Sequence, residues 1–327
     1  MCAPDARALA GMLAMSEDGR LICIVGPTAV GKSRFAVEVA MRFGGEIISC
    51  DSMAVYRGLD IGTDKPSPED RKRVRHHLLD VAEPGSTYSA GAFRRAALMA
   101  QEEIRARVRL PVVVGGTGLY YRALVKGLID APPRQEAIRA RLKARIQRRG
   151  PERLHRVLQR LDAPYAAQIG PRDSLRIVRA MEVVLSTGKP LSAWISERPF
   201  AVNGSRRQLR VGLTATRAFL YDRIDKRVEA MMAAGLLEEV RELSRRGLLS
   251  GPVSKAIGYG ELAEYVRGLV SLEDAVSAVK LRSRHLAKRQ TAWFKKEDDI
   301  NWFEIEKEAW KNDALEFIER WLPQAHR

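Results

Sequence analysis

Residues 26–33 read Gly26-Pro27-Thr28-Ala29-Val30-Gly31-Lys32-Ser33, the pattern G-x-x-x-x-G-K-[ST]. Glycines in such a loop let backbone N–H groups converge on phosphate oxygens, and the helix that follows adds positive potential at its N-terminus. Lys32 supplies a point charge, and Ser33 is placed to ligate Mg²⁺. The loop therefore binds a di- or triphosphate but does not name it. On this motif alone, a nucleoside triphosphatase or kinase holding ATP is the default.

Asp51, in Ser49-Cys50-Asp51-Ser52, offers a second reactive group. It suits a Mg²⁺ ligand, a general base or a simple turn aspartate. Gly115-Gly116-Thr117-Gly118-Leu119-Tyr120 lacks the G-x-G-x-x-G spacing, so it reads as a strand-to-helix turn rather than a dinucleotide fingerprint. Arg176 and Arg179 are spaced i, i+3, and Arg223 and Arg227 i, i+4, so each pair shares a helix face. The pair His76-His77 has no cysteine nearby and carries no metal assignment.

These residues need a scaffold that gathers them. The apolar run 21–25 reads as a buried parallel strand ending at Gly26. Helical spacing over 33–43 ends at Gly44-Gly45, and 46–50 forms a second strand with Asp51 at its C-terminal end. A helix over 92–107 leads to a third strand, 111–114, stopping at Gly115-Gly116. The expected fold is α/β, with a P-loop NTPase-like parallel sheet whose ligands lie beyond the C-terminal strand ends. After Pro132-Pro133 the chain turns helical and basic, with helices over 134–160 and 171–187. A Pro/Gly/Ser-rich stretch, 197–206, precedes another strand at 207–214, and 216–295 is mostly helical. The expected organisation is an N-terminal tail at 1–20, a core of 21–131 and 204–327, and a helical insertion at 132–203.

The 327 residues carry a formal net charge of +16, with +3 in residues 1–130 and +13 in 131–327. That asymmetry points to a polyanion, with nucleic acid foremost. Residues 139–160 hold nine Lys or Arg against Glu152, and 280–296 hold seven with no acid. Both stretches suit phosphate-backbone contacts. Trp293 and Phe294, within the second, read as core anchors before base-stacking platforms. The apolar stretch 8–15 is too short for a membrane span and lacks secretory-signal flanks. Three cysteines without a CxxC pair argue against a disulfide framework or zinc site and suit a reducing cytosol.

GPTAVGKS, SCDSMAVY, IGTDKP, HHLLD, VVVGGTGLYYRAL, PRDSLRIVRAMEV, AIGYGE and AKRQTAWFKK follow one another over about 21–303. This ordered set resembles the tRNA dimethylallyltransferase family, the bacterial tRNA isopentenyl(di)phosphate transferases. Two positions depart from it: Ala54 where the family often has Gln, and Asp64 where Ala is usual.

The resemblance implies transfer of a dimethylallyl group from its diphosphate to the exocyclic amine of the adenosine just 3′ of the anticodon, in tRNAs reading codons that begin with U. The loop 26–33 would then hold a diphosphate with Mg²⁺. Asp51 would take the amine proton, Thr28 would sit near the bridging oxygen, and Arg227, with Arg223 as second choice, would hold the departing pyrophosphate. Asp51, Ser52, Met53, Ala54, Thr117, Arg176, Arg179, Lys255, Gly258 and Tyr259 would face tRNA. The partners implied are a tRNA anticodon stem-loop and dimethylallyl diphosphate, for a cytoplasmic monomer with no membrane association and no obligate protein partner. The competing readings are a small-molecule P-loop enzyme, either a nucleotide kinase or a transferase acting on free adenine nucleotides, and a non-catalytic RNA-binding protein. The +13 region disfavours the first, and the intact Thr28, Lys32, Ser33 and Asp51 disfavour the second.

Overall fold

The computed structural model describes residues 19–129, 132–197 and 207–322. The expected 1–20 tail therefore lies almost wholly outside the described residues, as does most of the stretch 197–206. The chain divides into two compact units, 1–124 with 205–327, and 125–204. The second begins at Val125, ahead of the composition change at Pro132-Pro133 that marked the boundary in the sequence.

In the first unit, β1 (Leu21–Val25) is fully buried and feeds the phosphate loop. Ile22 and Ile24 enter one apolar cluster, while Leu21, Cys23 and Val25 are equally buried, so both faces of the strand are covered. Helix α1 (Lys32–Arg42) packs Phe35, Ala36 and Val39 into that cluster. Then follow β2 (Gly45–Ser49), α2 (Pro68–Arg73), the two-residue β3 (His76–His77), α3 (Ala90–Ala106), β4 (Leu110–Gly115) and α4 (Gly118–Val125). Neither β3 nor α2 was expected from the sequence. Cys23 and Cys50 are free and buried, and burial pushes the Cys23 thiol up to about 12.

The second unit is all helical: α5 (Glu136–Arg149), α6 (Pro151–Leu161), α7 (Ala163–Ala166), α8 (Ser174–Thr187) and α9 (Leu191–Glu197). Leu142, Leu154, Leu158, Ile177, Val178 and Met181 form its core. Glu182 is buried within it and accepts from Gln135 N–H (2.6 Å), Arg139 (2.9 Å) and Arg179 (3.0 Å). Burial would raise this carboxyl's pKa, but those three donors outweigh it and hold the pKa below the usual range.

The chain returns through β5 (Gln208–Thr214), α10 (Arg217–Ala233), α11 (Leu236–Arg245), α12 (Tyr259–Val266), the long α13 (Leu272–Phe294), β6 (Asn301–Glu304) and α14 (Trp310–Trp321). All six strands pair in parallel, in the order β3-β2-β4-β1-β5-β6. Successive strands leave β1 to one side for β2–β4 and to the other for β5–β6, which opens a crevice beyond their C-terminal ends. This is the expected α/β core, a P-loop NTPase-like parallel sheet interrupted by a helical insertion.

Candidate active site

A cavity of about 1650 Å³ lies beyond the C-terminal ends of β1, β2 and β4. The phosphate loop presents Thr28, Ala29, Gly31, Lys32 and Ser33 to it. Gly26, Pro27 and Val30 do not line it but hold the loop's shape. Gly26 has φ of 144°, and a Cβ there would lie 2.3 Å from the Leu213 carbonyl oxygen, so only glycine lets the loop leave β1 beside β5. Val30 is buried, and the Pro27 carbonyl accepts from Lys32 Nζ at 2.5 Å.

Lys32 is buried beside another cation. Burial first, then repulsion from Arg227, lowers its pKa to about 7, while Asp51 and Asp64 pull it partly back up. An anion bound in the loop would restore the charged form and raise that pKa. Binding of such an anion would therefore take up protons above about pH 7, with affinity greatest below that value and weakening as pH rises through it. Titration with inorganic pyrophosphate in buffers of different ionisation enthalpy should show this uptake growing from pH 7 to 8.5 and vanishing in Lys32→Met. Equal uptake in both proteins would assign it elsewhere.

Asp51 lies two residues beyond the end of β2 at Ser49 and is half-buried. Its Oδ1 accepts from the Met53 (2.7 Å) and Ala54 (3.1 Å) amides, an Asx turn that fixes the carboxylate. Among the described residues Oδ2 takes no hydrogen bond, and Asp51 lines the cavity. Thr117, after β4, accepts the Ser52 amide on Oγ1 at 3.0 Å, joining the two loops. Ser52, Met53, Ala54 and Thr117 all line the cavity, though Ala54 is 4% exposed and presents little side chain.

Helix α10 brings Arg223 and Arg227 to the same cavity. Arg227 donates from Nη1 to Thr28 Oγ1 (2.5 Å), and its Nε lies 3.0 Å from Asp64 Oδ2. The loop bearing Asp64 is tied down by Glu239, whose carboxylate accepts the Asp60, Ile61 and Gly62 amides (3.0, 2.9 and 3.3 Å). The i, i+4 spacing of the arginines thus does place both on one working face.

Several expected tRNA contacts have other work. Tyr259 is fully buried; its hydroxyl donates to Glu239 (2.6 Å) and its ring lies against Gly62. Lys255 and Gly258, beside it, do line the cavity. Arg179 serves Glu182 and the Pro132 carbonyl (2.9 Å) rather than an open face. Arg176 is exposed, paired with Asp173 at 3.3 Å. Within 139–160, Arg139 is spent on Glu182, while the other eight basic residues are exposed. Within 280–296, Lys280 meets Glu229, Arg282 meets Glu261 and Arg284 meets Asp225, so those three brace helices. Phe294 is buried against Tyr121, as expected of a core anchor. Trp293 instead lines the cavity, under the Arg122 guanidinium at 4.6 Å.

Gln290 carries no sequence signal of its role. Its Oε1 accepts the Thr28 amide (2.7 Å) and its Nε2 donates to the Gly116 carbonyl (3.0 Å). It falls within the block AKRQTAWFKK, but its partners lie far away in the chain, so nothing local in that block gives it a role.

No group of three His, Cys, Asp or Glu suited to a metal occurs among the described residues. The donors at the loop are hard oxygens, the exposed Ser33 hydroxyl and the nearby Asp51 carboxylate. Such a sparse set fits Mg²⁺ held mainly by substrate oxygens and water, and no site built wholly of protein.

The model of the family described as IPP transferase matches residues 54–297. A tRNA dimethylallyltransferase 2 of Geotalea uraniireducens is 48% identical over 286 residues, 87% of this chain and 92% of that protein. The tRNA dimethylallyltransferase of Thermomicrobium roseum is 42% identical over 313 residues, 94% and 93% of the two chains. The crystal structure of a tRNA isopentenylpyrophosphate transferase from Bacillus halodurans matches with a TM-score of 0.68 and 38% identity, covering 93% of this chain and 97% of that one. A eukaryotic dimethylallyltransferase described as acting on tRNA matches with a TM-score of 0.79 and 27% identity, covering 92% of this chain and 80% of that one.

Proposed function

The chain belongs to the IPP transferase family, and from that membership we propose how its own residues carry the reaction. It is a prenyltransferase that moves a dimethylallyl group from dimethylallyl diphosphate to the exocyclic amine of the adenosine 3′ of the anticodon, in tRNAs reading codons that begin with U. The observation that carries this assignment of roles is one cavity holding a phosphate loop, two arginines and a carboxylate fixed by an Asx turn.

The allylic C–O bond breaks, its electron pair leaving with pyrophosphate. The amine lone pair forms the C–N bond, and the amine proton passes to Asp51. An allylic carbon tolerates positive charge, so a weak amine suffices. Stabilisation is therefore needed most at the leaving group, where the loop amides, Lys32, Arg223 and Arg227 gather. Ser33 would hold Mg²⁺, which when bound neutralises part of the diphosphate charge. Asp51, Thr117, Lys255 and Gly258 would meet the target nucleotide, which must leave its stack to reach them. We further propose a cytoplasmic monomer; among the described residues no helix is long and apolar enough to cross a membrane.

The exposed basic residues of α5 and α6 give this reading its second support. Reversing Arg141, Arg145, Arg148 and Arg149 to Glu should weaken tRNA binding, and each lost phosphate contact should make the negative slope of log K against log salt shallower by about 0.7–0.9. An unchanged slope would make α5 an ordinary solvated face.

The reaction itself is tested with Mg²⁺, radiolabelled dimethylallyl diphosphate, and either unmodified tRNA carrying adenosine 3′ of its anticodon or free AMP. Label on tRNA alone is expected. Label on AMP alone would make the enzyme a free-nucleotide transferase. Label on neither, with ATP consumed, would make the phosphate loop that of a kinase.

A further inference from the structure

One face of α13 lines the cavity with Val279, Ser283, Leu286, Gln290 and Trp293, at helical spacings. On that face, among the described residues, Gln290 is the side chain that hydrogen-bonds to both loops of the site. Its Oε1 accepts from Thr28 N–H and its Nε2 donates to Gly116 O, 2.7 and 3.0 Å away. These partners leave the amide one orientation, because a flip would set donor against donor and acceptor against acceptor. Gly116 makes room for it: a Cβ there would lie 2.2 Å from Nε2.

The bridge is one link in a longer path. Arg227 donates to the hydroxyl of Thr28, whose amide Gln290 holds. Gly116, held at the other end, precedes Thr117, whose hydroxyl accepts the Ser52 amide next to Asp51. One side chain thus connects the groups that receive the leaving pyrophosphate to the loop that bears the base.

We propose that Gln290 is a positioning residue that sets the spacing between the phosphate loop and the Asp51–Thr117 side of the cavity for prenyl transfer. The inference rests on the transferase reading above. In that reaction the departing oxygen and the incoming nitrogen lie on opposite sides of a single allylic carbon. The two loops that hold them must therefore keep a fixed separation, and a misplacement of about 1 Å is worth up to about 100-fold in rate. Both bonds of Gln290 go to protein backbone, so the residue acts through Thr28 and Gly116.

The test is Gln290→Met, which keeps length and bulk but removes both hydrogen bonds. Expected is a fall in kcat of about 10- to 100-fold, with KM for both substrates, pyrophosphate affinity and melting temperature nearly unchanged. Amide hydrogen exchange at Thr28 should quicken. Gly116→Ala, which displaces the bridge from its other end, should lower kcat similarly, and the double variant should fall no further. Full turnover in Gln290→Met, additive losses in the double variant, or a loss matched by lost melting temperature or lost substrate binding would overturn the proposal. Absence of transfer by the unsubstituted enzyme would overturn the reaction reading instead, so the two failures are distinguishable.

Discussion

Asp51→Asn should still bind tRNA but transfer almost no prenyl group. The asparagine retains a side-chain oxygen where Oδ1 accepts the Met53 and Ala54 amides, so the Asx turn survives. What disappears is the capacity to accept a proton. General-base contributions of about 10²–10⁴-fold set the expected loss in kcat. Single-turnover transfer of label, read beside a tRNA binding isotherm, makes the comparison. Asp51→Ala should be as inactive but less informative, because it also frees the 51–54 turn. If Asp51→Asn keeps its rate while losing tRNA affinity, the carboxylate is an RNA contact and the base lies elsewhere.

Arg227→Met should be the second most damaging change. Arg227 is held from two directions, by Thr28 Oγ1 and by Asp64, so its guanidinium is set before substrate arrives. A donor aimed at developing negative charge is worth about 10²–10³-fold in rate, or about 3–4 kcal/mol. Arg227→Lys should recover little, since an ammonium on a flexible stem cannot face Thr28 and Asp64 together. A single-turnover rate within threefold of the unsubstituted enzyme for Arg227→Met would remove the arginine from the leaving-group site.

How far these residues were visible beforehand depended on whether their signal was local. The phosphate loop, Asp51 and Thr117 each sit at a strand end, and each strand is marked by a short apolar run stopped by glycine or a polar residue. The β3 pair, His76-His77, and the edge strand β6 carry no such run and exist through pairing with β2 and β5. Spacing placed Arg176 and Arg179 on one helix, but the buried Glu182 that claims Arg179 is a tertiary fact. Tyr259 misled for the same reason, because Glu239, twenty residues earlier, turns its hydroxyl inward. Asp64 stood out as a departure whose effect had no local cue; its partner Arg227 comes from α10. The contacts of Gln290 were hidden most completely, since its two bonds span 262 and 174 positions.

The strand order also dictates a schedule for synthesis. Strand β1 lies between β4 and β5, and the phosphate loop leaves it with Gly26 against the Leu213 carbonyl. A ribosome must therefore add nearly two hundred residues after Gly26 before that loop has the neighbour that shapes it. The whole insertion emerges in the interval, and its helices, joined by short connections, close around one another without waiting for the sheet. Until β5 is made, the growing chain carries an apolar β1 with one side unpaired, the kind of exposed edge that chaperones shield.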